Sequence, residues 1–220
     1  MKLILWVIFR VGHDLKVTGQ EHVPKTGPFI IAANHVSFLD PPMVGVACPR
    51  RVVFMARRDL FRHWLLGAFL RSVKVIPLAR GEADVHAVRT ALQSLRRGDI
   101  IGIFPEGGRQ LSGTLGTAKR GVGLLATMAR VPIVPAYLTG TFQALPPHAT
   151  RLHRSKIRVA FGPAISYTTS SFVPPDPATT RLVAEQERST GSRQRQQQLA
   201  DAVTQQWRLL AQRCVDEGVS

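Results

Sequence analysis

Short apolar runs alternate with segments of helical period along most of this chain. The runs are residues 29–33 (FIIAA), 51–56 (RVVFMA), 73–80 (VKVIPLAR), 100–104 (IIGIF), 131–138 (VPIVPAYL) and 156–162 (KIRVAFG). Their length and β-branched content mark strands. Between them lie helical segments at 41–48, 59–72, 83–98 and 118–130. In 83–98, Val85, Val88, Leu92 and Leu95 share one face, the last turn is basic, and Gly98 stops the helix. Segment 59–72 is apolar enough to read as a largely buried helix or a hydrophobic wall. Strands alternating with helices predict an α/β fold with a mostly parallel central sheet and helices on both faces. Ligands of such sheets bind beyond the carboxyl ends of the strands.

The central stretch is 28–42, PFIIAANHVSFLDPP. Asn34 and His35 stand where its strand should end, and Asp40 follows five residues after the histidine. An imidazole and a carboxylate can form a base–orienter pair, the carboxylate fixing the ring's tautomer and stabilising the imidazolium. In one straight helix, positions five apart diverge by about 140°, so the pair meets only if the chain bends between them. The residue before a proline is pushed out of the α region, which predicts an extended Asp40 at the N-cap of a helix 41–48 starting at Pro41. The competing reading leaves Asp40 as a cap alone and His35 as a polar residue closing a strand. The second chemical centre is FPEGGRQ, 104–110. Its glycines allow close backbone approach to a ligand, Arg109 is a planar donor suited to phosphate, and Glu106 is placed to hold a hydroxyl or brace the site. The competing reading is a tight Gly-Gly turn with a surface arginine.

At 220 residues the chain has room for one sizeable core. Lys plus Arg number 29 against 14 Asp plus Glu, a net charge of +15, which favours anionic partners: nucleic acid, anionic headgroups or an acidic carrier protein. Cys48 and Cys214 form neither a disulfide framework nor a metal spacing. No stretch reaches the ~20 apolar residues that span a bilayer. Residues 1–14 contain an apolar run, 3–9, flanked by Lys2, Arg10 and Lys16. They are assigned as a membrane-interface helix, with packing on the domain's own core as the competing reading. An α/β domain then occupies 15–165, a polar loop 166–196, and a C-terminal helix 197–215 with an apolar stripe of Leu199, Val203, Trp207, Leu210 and Cys214.

Together the two motifs resemble the glycerolipid acyltransferase family, typified by lysophosphatidate (1-acylglycerol-3-phosphate) acyltransferases. That family carries N-H-x-x-x-x-D, an arginine at a strand end, F-P-E-G-x-R, and an apolar V-P-I-V-P-type strand. Here these are Asn34, His35 and Asp40; Arg80; Phe104 to Arg109; and Val131 to Pro135, so the resemblance covers roughly residues 15–162. It implies that His35 is the general base, oriented by Asp40, and that an acceptor hydroxyl attacks an acyl thioester without an acyl-enzyme. It implies substrate-binding roles for Asn34, Glu106, Gly107, Gly108, Arg80 and Arg109. Arg57 stands where the family often has lysine, and Lys119 matches a basic position after the second motif. Gly108 and Gln110 replace hydroxyl residues usual around the motif's arginine, which keeps another lipid acceptor open. The implied partners are an acyl-CoA or acyl carrier protein donor, a lysophospholipid acceptor and an anionic membrane surface on the cytoplasmic face of the cell membrane. No cofactor, metal or nucleic acid is implied.

The rival from another class is a basic nucleic-acid-binding protein. Its basic residues do not gather into a recognition helix, and only two tyrosines are available for stacking. Residues 121–126 match a dinucleotide fingerprint by letter, but lack the strand that must precede it. They read as small residues packing a helix against the sheet.

Overall fold

The computed structural model describes residues 12–72, 74–78, 85–149, 151–167 and 181–216. Arg80 and the apolar run at 3–9 lie outside the described residues, and with them the expectations attached to both.

In chain order the strands are β1 (Lys16–Thr18), β2 (Ile30–Ala33), β3 (Val52–Arg57), β4 (Ile76–Leu78), β5 (Ile100–Ile103), β6 (Ile133–Thr139) and β7 (Arg158–Phe161). The helices are α1 (Asp40–Ala47), α2 (Trp64–Ser72), α3 (Val85–Arg96), α4 (Gly121–Ala129), the single turn α5 (Thr141–Ala144) and α6 (Arg181–Asp216). The strands form one sheet in the order β1-β7-β6-β2-β5-β3-β4. Every pairing is parallel except β6 with β7. β2, the strand that ends at the Asn34-His35 dipeptide, sits in the middle of this order between β6 and β5.

The side-chain period of two sorts the core into two layers. Ile31 and Ala33 of β2 pack with Val134, Ala136 and Leu138 of β6 against Met43, Val44 and Ala47 of α1. Ile30 and Ala32 point the other way and pack with Ala87, Ala91 and Leu95 of α3, Val122 and Ala126 of α4, and Leu199, Val203 and Trp207 of α6. Central strands buried on both faces read as continuous apolar runs, which is why β2 carries no polar residue.

The C-terminal apolar stripe is therefore core. Trp207 is buried, and its indole N–H donates to the Ala32 carbonyl at 3.0 Å. The helix carrying it is longer than the 197–215 segment expected, and it takes in residues 181–196 of the expected polar loop. That stretch has no proline and is rich in Arg, Gln and Glu, good helix formers whatever their polarity. A polar helix shows no apolar stripe, so periodicity does not reveal it.

Two other expectations are corrected. Within 121–126, Val122 and Ala126 do pack α4 on the sheet, but Gly123 meets a helix instead: a Cβ there would lie 2.1 Å from the Gln196 carbonyl oxygen of α6. Segment 59–72 is no buried wall. A 3-10 turn, Arg58–Arg62, precedes α2, and Trp64 and Leu65 stand 78% and 64% exposed.

Candidate active site

The site forms where β2 and β5 end, side by side and parallel. Beyond β2 the chain turns through residues 35–39 before α1 begins, and this turn brings His35 and Asp40 together. The His35 Nδ1 lies 2.9 Å from Asp40 Oδ2. The same oxygen accepts the backbone N–H groups of Val36 and Ser37, both at 2.7 Å. The Asp40 side chain is fully buried, while that of His35 retains 19% exposure. With Nδ1 committed to Asp40, Nε2 is the ring nitrogen left for chemistry; no described residue bonds to it.

Asp40 departs from the cap expected of it. It is the first helical residue, preceded by Leu39 as N-cap, and prolines occupy the next positions. Its carboxylate turns back onto residues 35–37 and caps no helical N–H. The steric bias that a following proline imposes is outweighed here by three hydrogen bonds to one buried oxygen.

Asn34 also acts differently from its implied substrate-binding role. Its side-chain amide is buried and spans to β6, donating to the Leu138 carbonyl at 3.0 Å and accepting the Leu138 N–H at 2.7 Å. Both ends of the amide are thus spent on backbone, and the residue holds the end of β2 in place. Ser37 adds a second tie, donating its hydroxyl to the Leu145 carbonyl at 2.7 Å.

The 104–110 segment closes on the histidine. The Glu106 carboxylate accepts the His35 backbone N–H at 2.8 Å through one oxygen and the Gly116 N–H at 2.9 Å through the other. It braces the loop that carries His35. Burial raises the Glu106 pKa above its ordinary value, opposed by the two backbone hydrogen bonds. The His35 carbonyl accepts the Gln110 N–H at 2.8 Å, so both backbone polar groups of His35 are held by the 104–110 segment. Phe104 stacks on the imidazole with centroids 4.3 Å apart.

Gly107 adopts φ +80°, a conformation open to glycine at little cost, and the Lys119 side chain runs across it. Gly108 is exposed beside it, with nothing within 4 Å of a notional Cβ. The Arg109 guanidinium lies over the Phe38 ring, 3.6 Å from its centroid, and donates to the Pro147 carbonyl at 3.4 Å. Burial and the nearby Arg57 guanidinium lower the Arg109 pKa, while Asp40 opposes them. These groups therefore share one neighbourhood, although an arginine stays protonated throughout. Arg57 is itself engaged by Asp59 through a two-pronged ion pair, half exposed.

Sequence reasoning thus assembled His35, Asp40, Glu106, Gly107, Gly108, Arg109, Arg57 and Lys119 around the carboxyl ends of the central strands. It missed Phe38 and Phe104, which lie inside the two motifs and carry no polar group to mark them. It also missed the backbone braces through Gln110 and Gly116, which no sequence pattern encodes.

Comparison with known proteins accords with this geometry. Residues 14–139 match the family model Acyltransferase. The chain is 32% identical over 137 residues to the 1-acyl-sn-glycerol-3-phosphate acyltransferase of Bacillus subtilis (strain 168), covering 62% of this chain and 68% of that one. It is 31% identical over 142 residues to the 1-acyl-sn-glycerol-3-phosphate acyltransferase alpha of Mus musculus, covering 62% of this chain and 49% of the mouse protein. The chain thus spans about two thirds of the bacterial relative and about half of the mouse one. The crystal structure of the 1-acyl-sn-glycerophosphate (LPA) acyltransferase from Thermotoga maritima shares its fold, with a TM-score of 0.66 and 23% identity over 93% of this chain and 79% of that one. With more than half its length matched by the family model and the two motifs meeting beyond the ends of β2 and β5, the chain belongs to the Acyltransferase family.

Proposed function

We propose that this chain moves a fatty acyl group from an acyl thioester, acyl-CoA or acyl carrier protein, to the free hydroxyl of 1-acylglycerol-3-phosphate, giving phosphatidic acid. The observation that carries the reading is the His35–Asp40 pair, whose Asp40 oxygen also accepts two backbone N–H groups. Such a carboxylate is locked in place and holds the imidazole in the tautomer with its proton on Nδ1.

In this mechanism the acceptor hydroxyl gives its proton to His35 Nε2 as its oxygen bonds to the thioester carbonyl carbon. The tetrahedral oxyanion collapses, the C–S bond breaks, and the thiolate takes the proton back from the imidazolium. The products are the ester and a free thiol, and the enzyme returns to its starting state. Arg109 and Lys119 supply positive charge for the acceptor phosphate, with Arg57 joining if the phosphate displaces Asp59. Bound across the strand ends, both substrates react as if at high local concentration. The named relatives support this acceptor, and the +15 charge supports a peripheral place on an anionic, cytoplasmic membrane face. No described helix is long and apolar enough to cross a membrane.

The test is thiol release from acyl-CoA with and without lysophosphatidic acid, for the wild type and His35→Ala. Release that needs the acceptor and disappears in the variant supports the reading; release that persists in His35→Ala refutes it. Gly108 and Gln110, where the resemblance to the family implies hydroxyl residues, favour one further comparison: phosphate-bearing against phosphate-free acceptors. Equal rates on the two would transfer the chemistry to another lipid and remove the arginines' proposed role.

A further inference from the structure

The C-terminal helix spends its apolar stripe on the core. Another element presents adjacent apolar side chains to solvent. Among the described residues, the large exposed apolar side chains include Trp64 and Leu65, adjacent at the start of α2. Ala68 and Arg71 continue the exposed stripe one and two turns along. The stripe is ringed by exposed cations: Arg58 and Arg62 before the helix, Arg71 within it and Lys74 after it. Between residues 58 and 74 the single acid is Asp59, and it is paired with Arg57.

We propose that Arg58, Arg62, Trp64, Leu65, Arg71 and Lys74 form a docking surface for an anionic lipid bilayer. An exposed indole and leucine enter the interface, and the surrounding guanidinium and ammonium groups meet lipid phosphates. The charge pattern selects this occupant: a ring of cations around an apolar centre complements an anionic surface and repels a second copy of itself. The element also leaves directly from Arg57 at the end of β3, and Arg57 acts electrostatically on Arg109. A lipid acceptor reaching the site therefore travels a short way from the bilayer. This purpose rests on the proposed lipid acceptor; the docking itself does not, and it is measured without any turnover.

The experiment is co-sedimentation of the full chain with phosphatidylcholine vesicles containing or lacking phosphatidylglycerol. Three proteins are compared: wild type, Trp64→Ser/Leu65→Ser, and Arg58→Gln/Arg62→Gln/Arg71→Gln. Circular dichroism and analytical ultracentrifugation confirm folding and assembly state. Wild type is expected to bind only anionic vesicles. Each neutralised cation should weaken binding roughly fivefold, so the triple variant falls roughly 100-fold. The apolar variant should fall roughly tenfold or more. Thiol release with a water-soluble, short-chain lysophosphatidate should be unchanged in both, because none of these residues belongs to the site. The proposal is overturned if the folded variants bind vesicles like wild type, as they would were residues 1–11 the sole anchor. It is equally overturned if wild type binds neutral and anionic vesicles alike, or if the apolar variant changes the assembly state and not vesicle binding. Loss of soluble-acceptor activity in the wild type, with docking intact, would instead refute the acyl-transfer reading.

Discussion

Replacing Asp40 by Asn tests the catalytic geometry most sharply, because the change is nearly isosteric. In the wild type one carboxylate oxygen accepts from His35 Nδ1 at 2.9 Å and from two backbone N–H groups at 2.7 Å. The asparagine oxygen can occupy the same place and keep all three contacts, but without charge. Hydrogen bonds to a charged group contribute about 1 kcal/mol more than neutral ones, so the two backbone bonds weaken by about 2 kcal/mol together. The second carboxylate oxygen is buried and bonds to no described residue. It becomes an equally unpaired NH2, which adds little. The melting temperature should therefore fall by about 4–8 °C, at about 2–4 °C per kcal/mol for a chain of this size. The catalytic loss should be far larger. An imidazolium forming beside a neutral amide loses its stabilising partner, and kcat should drop by ~10²–10⁴ with KM little changed. The assay is thiol release at a temperature well below both melting points. Asp40 acts through His35, so the double variant Asp40→Asn/His35→Ala should be no slower than His35→Ala alone. Losses that multiply in the double variant, or a folded Asp40→Asn protein within tenfold of wild type, would sink the reasoning.

Two further outcomes concern the scaffold. Burial raises the Glu106 pKa above its ordinary value of 4.5, so the folded protein holds that proton more tightly than the unfolded chain. The resulting stability is present below the unfolded pKa and is lost as pH rises through the folded one; Glu106→Gln lacks this term. Urea unfolding across that interval should show the wild type losing ground to the variant as pH rises, and parallel stability curves would refute it. Gly123→Ala should destabilise by about 1–3 kcal/mol, since the new methyl meets the Gln196 backbone oxygen, which cannot rotate away. Gly121→Ala, with nothing within 4 Å of its Cβ, is the matched control and should be neutral or stabilising. Equal melting points for the two alanine variants would refute the helix-packing account.

Much of this protein is local in origin. The strands of the central sheet are short β-branched runs, and their burial on both faces follows from an absence of polar alternation that any window of the chain displays. The meeting of His35 with Asp40 is equally local, because five residues and a turn are all it requires. Even the placement of Glu106 and Arg109 beside them follows from a rule about strand ends in parallel sheets. The failures are instructive in the same terms. A 36-residue helix was half hidden because residues 181–196 are polar and without period. Trp64 and Leu65 looked like core because hydrophobicity reports what a side chain favours, and only the packing of neighbouring elements decides whether it is covered.

The sequence by itself determined the sheet, the order of its helices, and the two polar motifs that end adjacent strands. Tertiary structure alone decided what those polar groups do. Asn34 became a strut between β2 and β6, and Glu106 a brace for the backbone of His35. Arg109 found the ring of Phe38, and Asp40 turned away from its own helix. The reason is that secondary structure arises from the period of side chains along one segment. A hydrogen bond such as that from the His35 N–H to Glu106 joins residues 71 apart, and its partner exists only after the sheet has brought the two strand ends together.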